Sequence, residues 1–322
     1  DYLINDNNTV SFSTVATFTP SYLTRDLSDT KIRDANDGSS SGFYTVNNGK
    51  YESINAAFYL DYKHNLNDQG SNLAVNLHYT HYDYDKNQEL ESDFYDGNMA
   101  IVGENDFNTF NHQHTDLYSA QADFNAPIGE TANFESGIKY ALIDSESYIA
   151  QEGFDRDQEG IESTEEGTFF YDEEILAGYA SFDAKWNNWT FKSGLRAEYT
   201  DTKGDFSLST DKIKNHYLEL FPTVFLQFNP HVKHRFGGSY KRSIIRPSYN
   251  KINPFQVFQS NNSVVEGNVN LQPSFKNSVI LSYTYDRDYT LELFYRYHRN
   301  IMRLLTFQDN ESNLLRFITD NV

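Results

Sequence analysis

Cysteine is absent from the 322 residues, methionine and tryptophan occur twice each, and proline seven times. Without thiols there is no disulfide framework. The absence fits an oxidising or extracytoplasmic setting without proving one, since many cytosolic proteins also lack cysteine. Basic residues are scarce as well: 26 Lys and Arg against 46 Asp and Glu leave a formal net charge of −20. Phosphate backbones are held by basic faces, so this balance argues against nucleic acid as a partner. No stretch approaches the roughly 18 apolar residues that a spanning helix needs. That excludes a transmembrane helix and leaves spanning strands open. Asp1 opens directly into polar sequence with no signal peptide, so a mature chain or an internal piece of a longer one is expected.

Aromatic residues are what the chain has in quantity. It holds 24 Tyr and 25 Phe, yet its hydrophobic content is only 38%. A soluble protein of this length would form one large domain or two medium ones. Disorder would explain the charge but not the aromatics. A water-filled membrane β-barrel explains both, because only alternate side chains face lipid and the others stay polar.

The clearest periodicity is two. In 72–82, Leu73, Val75, Leu77 and Tyr79 share one face, and Asn76, His78 and Thr80 the other. In 189–200, Trp189, Phe191, Leu195 and Tyr199 oppose Lys192, Arg196 and Glu198. Segments 134–143 and 289–298 alternate in the same way, with Lys139 at the centre of the first. Ten alternating residues make a tilted bilayer span and are about twice the length of a sandwich strand. Charges at strand centres and aromatics towards strand ends also suit a barrel with interfacial girdles better than an antiparallel sandwich.

Twelve strands are expected, at 9–18, 51–63, 72–84, 114–125, 131–144, 174–185, 188–200, 216–228, 233–243, 276–285, 289–298 and 301–308. Short turns between them alternate with long connections at 18–50, 83–113, 145–173, 201–215 and 244–275. That rhythm is the asymmetry of an outer-membrane barrel, with tight periplasmic turns and long outer loops. The expected fold class is therefore all-β: a transmembrane antiparallel up-and-down barrel with acidic outer loops. No helix is expected beyond a turn inside a loop.

Catalytic patterns are missing: there is no HExxH, GxSxG, Walker-type loop or GxGxxG after a strand, and nothing reads as an enzyme or calls for a cofactor. The acidic stretch 151–174 offers Asp155, Asp157, Glu159, Glu162, Glu165 and Glu166 as hard oxygen ligands, although a solvated loop explains the charge more simply. Asp34, Asn36 and Gly38 are spaced like the start of a calcium loop but lack its later acidic ligand. His112 and His114, two apart on one strand, put both imidazoles on one face; metal binding is the sharper reading, and a polar lumen position is the expected one. Phe43, Tyr44, Tyr95, Phe107, Phe110, Phe169, Phe170 and Tyr171 are candidates to line a ligand path, with loop-on-loop packing as the alternative.

Residues 246–278 break the rhythm. They hold three of the seven prolines and have no period of their own. Within them stand Arg246, Pro247 and Tyr249, then Asn253, Pro254 and Phe255, then Glu266, Gly267, Asn268, Leu271 and Pro273. This series, with "FPTVFLQF" before it and "LSYTY" after, resembles the barrel of TonB-dependent outer-membrane receptors, in the outer membrane β-barrel branch common in Bacteroidota. That pattern runs roughly R-P-x-Y, L-N-P-F, E-G-N-P-x-L-x-P-E; Val269 replaces a usual proline and Ser274 a common acid. Pro247, Pro254 and Pro273 each interrupt ladder pairing, and Gly267 with Asn268 suits a tight turn, so these residues are expected to shape the loop rather than bind ligand.

The resemblance implies energy-coupled uptake across the bacterial outer membrane of an unidentified ligand: siderophore, vitamin, glycan or peptide. It implies the lipid bilayer and a TonB-type transducer as partners, with a surface lipoprotein as a further one. Such barrels have twenty-two strands and hold a plug. The expectation is therefore that residues 1–322 are one part of a barrel domain, with plug, signal peptide and C-terminal strands outside this sequence. Two other readings stay open: a non-transporting barrel serving as scaffold in an envelope complex, and a secreted all-β glycan-binding protein.

Overall fold

In the computed structural model, residues 1–33, 38–153, 164–208, 212–309 and 314–322 are described. Asp34 and Asn36, and the acidic candidates Asp155, Asp157, Glu159 and Glu162, lie outside the described residues, as does the side chain of Glu165. The strands are β1 (Tyr2–Asn5), β2 (Asn8–Arg33), β3 (Ser40–Asn65), β4 (Asn72–Tyr95), β5 (Ile101–Ile128), β6 (Ala132–Glu152), β7 (Thr164–Trp186), β8 (Trp189–Phe206), β9 (Ile213–His231) and β10 (His234–Ile245). After them come a single helical turn α1 (Tyr249–Ile252), the hairpin β11 (Gln256–Ser260) and β12 (Ser263–Glu266), then β13 (Ser274–Tyr285), β14 (Tyr289–Arg299), β15 (Met302–Asp309) and β16 (Leu314–Asn321).

Twelve strands form one antiparallel up-and-down sheet in the order β1 to β10, then β13 and β14. The sheet is open: β14 pairs with β13 and has no second neighbour among the described residues. Its two faces follow from the alternation. On one, Leu77, Tyr118, Ile138, Leu176, Leu195 and Leu218 are all more than a third exposed, which for a soluble sheet would be a large unburied apolar surface. Facing hydrocarbon, the same row is buried. The other face is a hydrogen-bonded polar layer. Tyr179 Oη donates to Asp123, Gln121 Nε2 donates to Asp123 at 2.9 Å, and Arg196 Nε donates to Glu198 at 2.5 Å. Lys139, Lys192, Arg196 and Glu198 thus lie opposite the apolar rows, as the alternation requires.

The two ends differ. Tight turns join one end, with Asn187 (φ 49°), Asp286 (φ 49°) and Arg287 (φ 66°) in the left-handed region that short reversals demand. There Trp189 stacks on Phe228 at 4.3 Å and on Trp186 at 6.5 Å, a cluster of amphipathic rings at the edge of the apolar band. At the other end the strands run far past that band: β2 and β3 have 26 residues and β5 has 28, where about ten cross a bilayer.

Two expectations are corrected here. Most of the connections expected at 18–50, 83–113, 145–173 and 201–215 are strand, not loop. Beyond the bilayer neither face meets lipid, so the hydrophobic alternation fades while the backbone ladder continues unbroken. The strand expected at 301–308 exists as β15 but leaves the barrel sheet. The chain reverses at Asn300 (φ 55°), and β15 joins β11, β12 and β16 in a separate four-stranded sheet.

Candidate functional site

Residues 246–273 leave β10 at the extended end and fold back across the polar face of β4 to β7. Two apolar clusters hold them there. Ile252, Phe255 and Leu271 pack with Ile149 and Phe169, and Phe258 and Val264 pack with Leu90 and Phe107. The Phe107 and Phe258 rings meet edge-on at 5.4 Å. Polar contacts fix the register: Gln88 Nε2 donates to the Phe258 carbonyl at 2.7 Å, Gln151 Nε2 to that of Gln256 at 2.6 Å, and Asn253 Nδ2 to Ser147 Oγ at 2.9 Å. Burying about five large apolar side chains at roughly 1.5–3 kcal/mol each outweighs the ordering of a short segment only if its backbone is also satisfied. The helical turn and the β11–β12 hairpin satisfy much of it.

The motif residues carry this architecture. Arg246 stands 3.0 Å from Glu173 and donates to Glu198 at 2.8 Å and Thr200 at 3.2 Å, tying the segment's start to β7 and β8. Pro247 and Pro273 line a small cavity of 30 Å³ together with Arg246 and Leu271. Tyr249 meets Tyr171 at 5.4 Å, and burial beside the Glu173 carboxylate pushes its phenol well above the usual range. Asn253 caps α1 through its N–H to the Tyr249 carbonyl and, just before Pro254, accepts the Phe255 N–H. Glu266 takes a bidentate grip from Arg316 at 2.7 Å to each oxygen. Asn268 N–H donates to the Lys251 carbonyl at 2.6 Å, and any Cβ on Gly267 would run into the Asn253 carbonyl.

Between segment and sheet lies a cavity of 630 Å³. Tyr82, Tyr84, Lys86, Asn111 and Gln113 line it from the sheet, and Tyr249, Asn250 and Asn253 from the segment. Aromatic faces, amides and a single cation suit a ligand bound by stacking and orienting hydrogen bonds.

The sequence-derived lining is only partly right. Phe43, Phe107 and Phe169 are at most 3% exposed, and Tyr95 is buried too, so they pack rather than line. Tyr171 packs under Tyr249. Tyr44, Phe110 and Phe170 are exposed, but Phe110 shares the apolar face with Tyr118. Tyr82, Tyr84 and Lys86 were missed. Their signal was the alternation in "THYDYDK", which continues the polar face of Asn76 and His78. Glu166 accepts a hydrogen bond from Tyr148 at 2.9 Å. His112 and His114 do share a face, as expected, but not the lumen one. They continue the row of Tyr118 and Phe124, because the register sets them opposite Asp85 and Asp83 on the odd-numbered side of β4.

Residues 64–322 match the family described as outer membrane protein beta-barrel family. The chain belongs to that family. The family places it in the bacterial outer membrane, with the tight turns periplasmic and the extended strands outside. No curated protein matches the sequence. Among solved structures, the alcaligin receptor FauA of Bordetella pertussis is 10% identical, with a TM-score of 0.39 over 100% of this chain. The ferric-catecholate import receptor Fiu of E. coli is 9% identical (0.45, 98%), and the hemophore receptor HasR of Serratia marcescens 11% identical (0.45, 98%). The chain spans 57–59% of these three proteins' lengths.

Proposed function

We propose that this chain is the larger part of the barrel of a TonB-dependent receptor that imports a ligand across the outer membrane. The observation that carries the reading is the segment 246–273, folded inside the outer mouth over a polar cavity of 630 Å³. A scaffold barrel has no use for a lined chamber on its water-filled side. The resemblance of the segment's residues to the receptor pattern supports the same reading. Closure is part of the proposal: an unpaired edge such as that of β14 is not tolerated in hydrocarbon, so further strands complete the barrel around a plug. The motif residues serve as architecture, and the ligand meets Tyr82, Tyr84 and Lys86. No step asks for catalysis.

The test is uptake by cells with and without the full gene, given a labelled ferric catecholate, a ferric hydroxamate, cyanocobalamin and a maltooligosaccharide in turn. Gene-dependent uptake of one probe, abolished by a protonophore and weakened about tenfold by Tyr84→Ala, is expected. Uptake of none, or uptake indifferent to the protonophore, overturns it.

A further inference from the structure

On the lipid-facing side of β4 and β5, Tyr79 and Tyr118 stack at 4.9 Å and end the apolar row. Immediately beyond them the same row turns into three cross-strand pairs, His81 opposite Asp116, Asp83 opposite His114, and Asp85 opposite His112. Every rung sets an imidazole against a carboxylate. His81 Nδ1 lies 3.1 Å from Asp116 Oδ1, and His114 Nε2 lies 3.1 Å from Asp116 Oδ2. The His81 and His114 rings meet edge-on at 4.8 Å. The ladder faces away from the 630 Å³ cavity, so it is not part of a ligand path through the lumen.

We propose that His81, His114 and Asp116 form a binding site for a divalent transition metal of the zinc class, clamping β4 to β5 just outside the aromatic girdle. Two imidazoles and one carboxylate are the donor set that zinc takes when one coordination position is left open. The spacing fits. Metal–ligand bonds of about 2.0–2.1 Å in tetrahedral geometry set donor atoms about 3.3 Å apart, and each imidazole already stands 3.1 Å from the Asp116 carboxylate, His81 Nδ1 from Oδ1 and His114 Nε2 from Oδ2. All three candidate donor atoms lie within 4.8 Å of one another.

The surroundings support the ligands. His114 turns its other nitrogen, Nδ1, towards Asp83 Oδ2 at 3.4 Å, the carboxylate–imidazole contact that fixes a metal-bound ring. Tyr79 Oη donates to Asp116 Oδ1 at 2.8 Å and holds that carboxylate in place. The three side chains are between 21% and 38% exposed, so an ion has an entry path from the headgroup layer. Asp83, Asp85 and His112 make a second group, but with two carboxylates and one imidazole it is a harder donor set and a poorer match to zinc.

The experiment uses the full-length protein, purified in detergent, stripped with chelator and dialysed against Zn²⁺, with bound metal measured by mass spectrometry. About one equivalent is expected to stay bound. His114→Asn and Asp116→Asn should each weaken binding at least tenfold, while His78→Asn, on the opposite face, leaves it unchanged. Circular dichroism checks that each variant folds. Should one fail, Co²⁺ in the unaltered protein gives an independent readout through the visible absorption of a tetrahedral site with imidazole ligands. Zinc that is not retained, binding unaffected by His114→Asn, or retention of Ca²⁺ and Mg²⁺ alone overturns the proposal and leaves the ladder as cross-strand hydrogen bonds.

Discussion

Replacing Arg246 by Met removes the charge that ties residues 246–273 to the sheet while keeping much of the side chain's bulk. Its partners Glu173 and Glu198 are only 7% and 11% exposed, whereas Arg246 itself is 25% exposed. Breaking a buried pair by removing one partner costs about 3–5 kcal/mol, and the partial exposure of the guanidinium puts this case near 3. Glu198 keeps Arg196 at 2.5 Å, so Glu173 bears most of the cost. That cost falls on docking of the segment rather than on the membrane sheet. At about 1.4 kcal/mol per decade, amides in 249–258 should exchange with solvent about 100-fold faster. Hydrogen exchange on detergent-purified full-length protein reads this directly. Adding Glu173→Gln removes the orphaned charge and should restore exchange to within about tenfold of the original, since the two residues act as a pair. Exchange in Arg246→Met within threefold of the unaltered protein would refute the reasoning, as would a double variant no better than the single.

Gly267→Ala should loosen the same segment by about 1–3 kcal/mol, because the added Cβ meets Asn253 backbone atoms that cannot rotate away; faster trypsin cleavage at Lys251 is the readout. Ile138→Arg on the lipid face should cost about 2–4 kcal/mol in refolding into phospholipid vesicles, while Lys139→Gln, one residue on, changes stability by under about 0.5; equal costs would mean the faces are assigned wrongly. At the tip of the β4–β5 hairpin, the backbone N–H groups of Ala100 and Asn98 donate to Asp96 and lower its pKa. A lowered carboxylate contributes stability that is present above its unfolded value of about 3.9 and lost as pH falls through the lower folded value. Hydrogen exchange at the Asn98 and Ala100 amides, taken relative to the intrinsic rate at each pH, should therefore quicken as pH drops below about 4, and Asp96→Asn should show the same loss of protection at neutral pH.

The membrane part of the fold was legible because lipid imposes a strict rule: one face must be apolar for about ten residues, and the sequence obeys it in strand after strand. Outside the membrane that rule lapses. Residues such as 87–93, "NQELESD", pair in register with 104–110, yet neither face there meets lipid: the inner face is covered by the folded-back segment, Leu90 is the single apolar residue of the seven, and nothing periodic marks them as strand. The site was half visible for the same reason. Alternation assigns Tyr82 and Tyr84 to the lumen once β4 is known to continue, but that continuation has no hydrophobic signature. His112 and His114 were noticed as a pair. Their face depends on counting inward from Tyr118, and their partners on a register between strands that a single sequence does not state. The segment 246–273 was recognisable by its prolines and motif residues. That it folds inward onto the sheet depends on long-range contacts such as Gln88 with Phe258, 170 residues apart.

The segment's attachment also says when it can form. β12 pairs in parallel with β16, and the Glu266–Arg316 clamp joins residues 50 apart in sequence. Between them lie β13, β14 and β15, so the small sheet is assembled only after the chain has crossed the membrane twice more. Loop closure over that distance must be met before the clamp contributes, which makes this sheet the last element to dock. The bonds that hold it are few beside the continuous ladders of β2 to β9, and an element formed last on few contacts is the first to open. It is also the element that roofs the 630 Å³ cavity. Amides of β11, β12, β15 and β16 should thus exchange before those of β4 and β5, and together, because β12 and β16 share one set of bonds. If β15 and β16 opened while β11 and β12 stayed protected, the two hairpins would not form one gate, and access to the cavity would have to come from the sheet's outer hairpins instead.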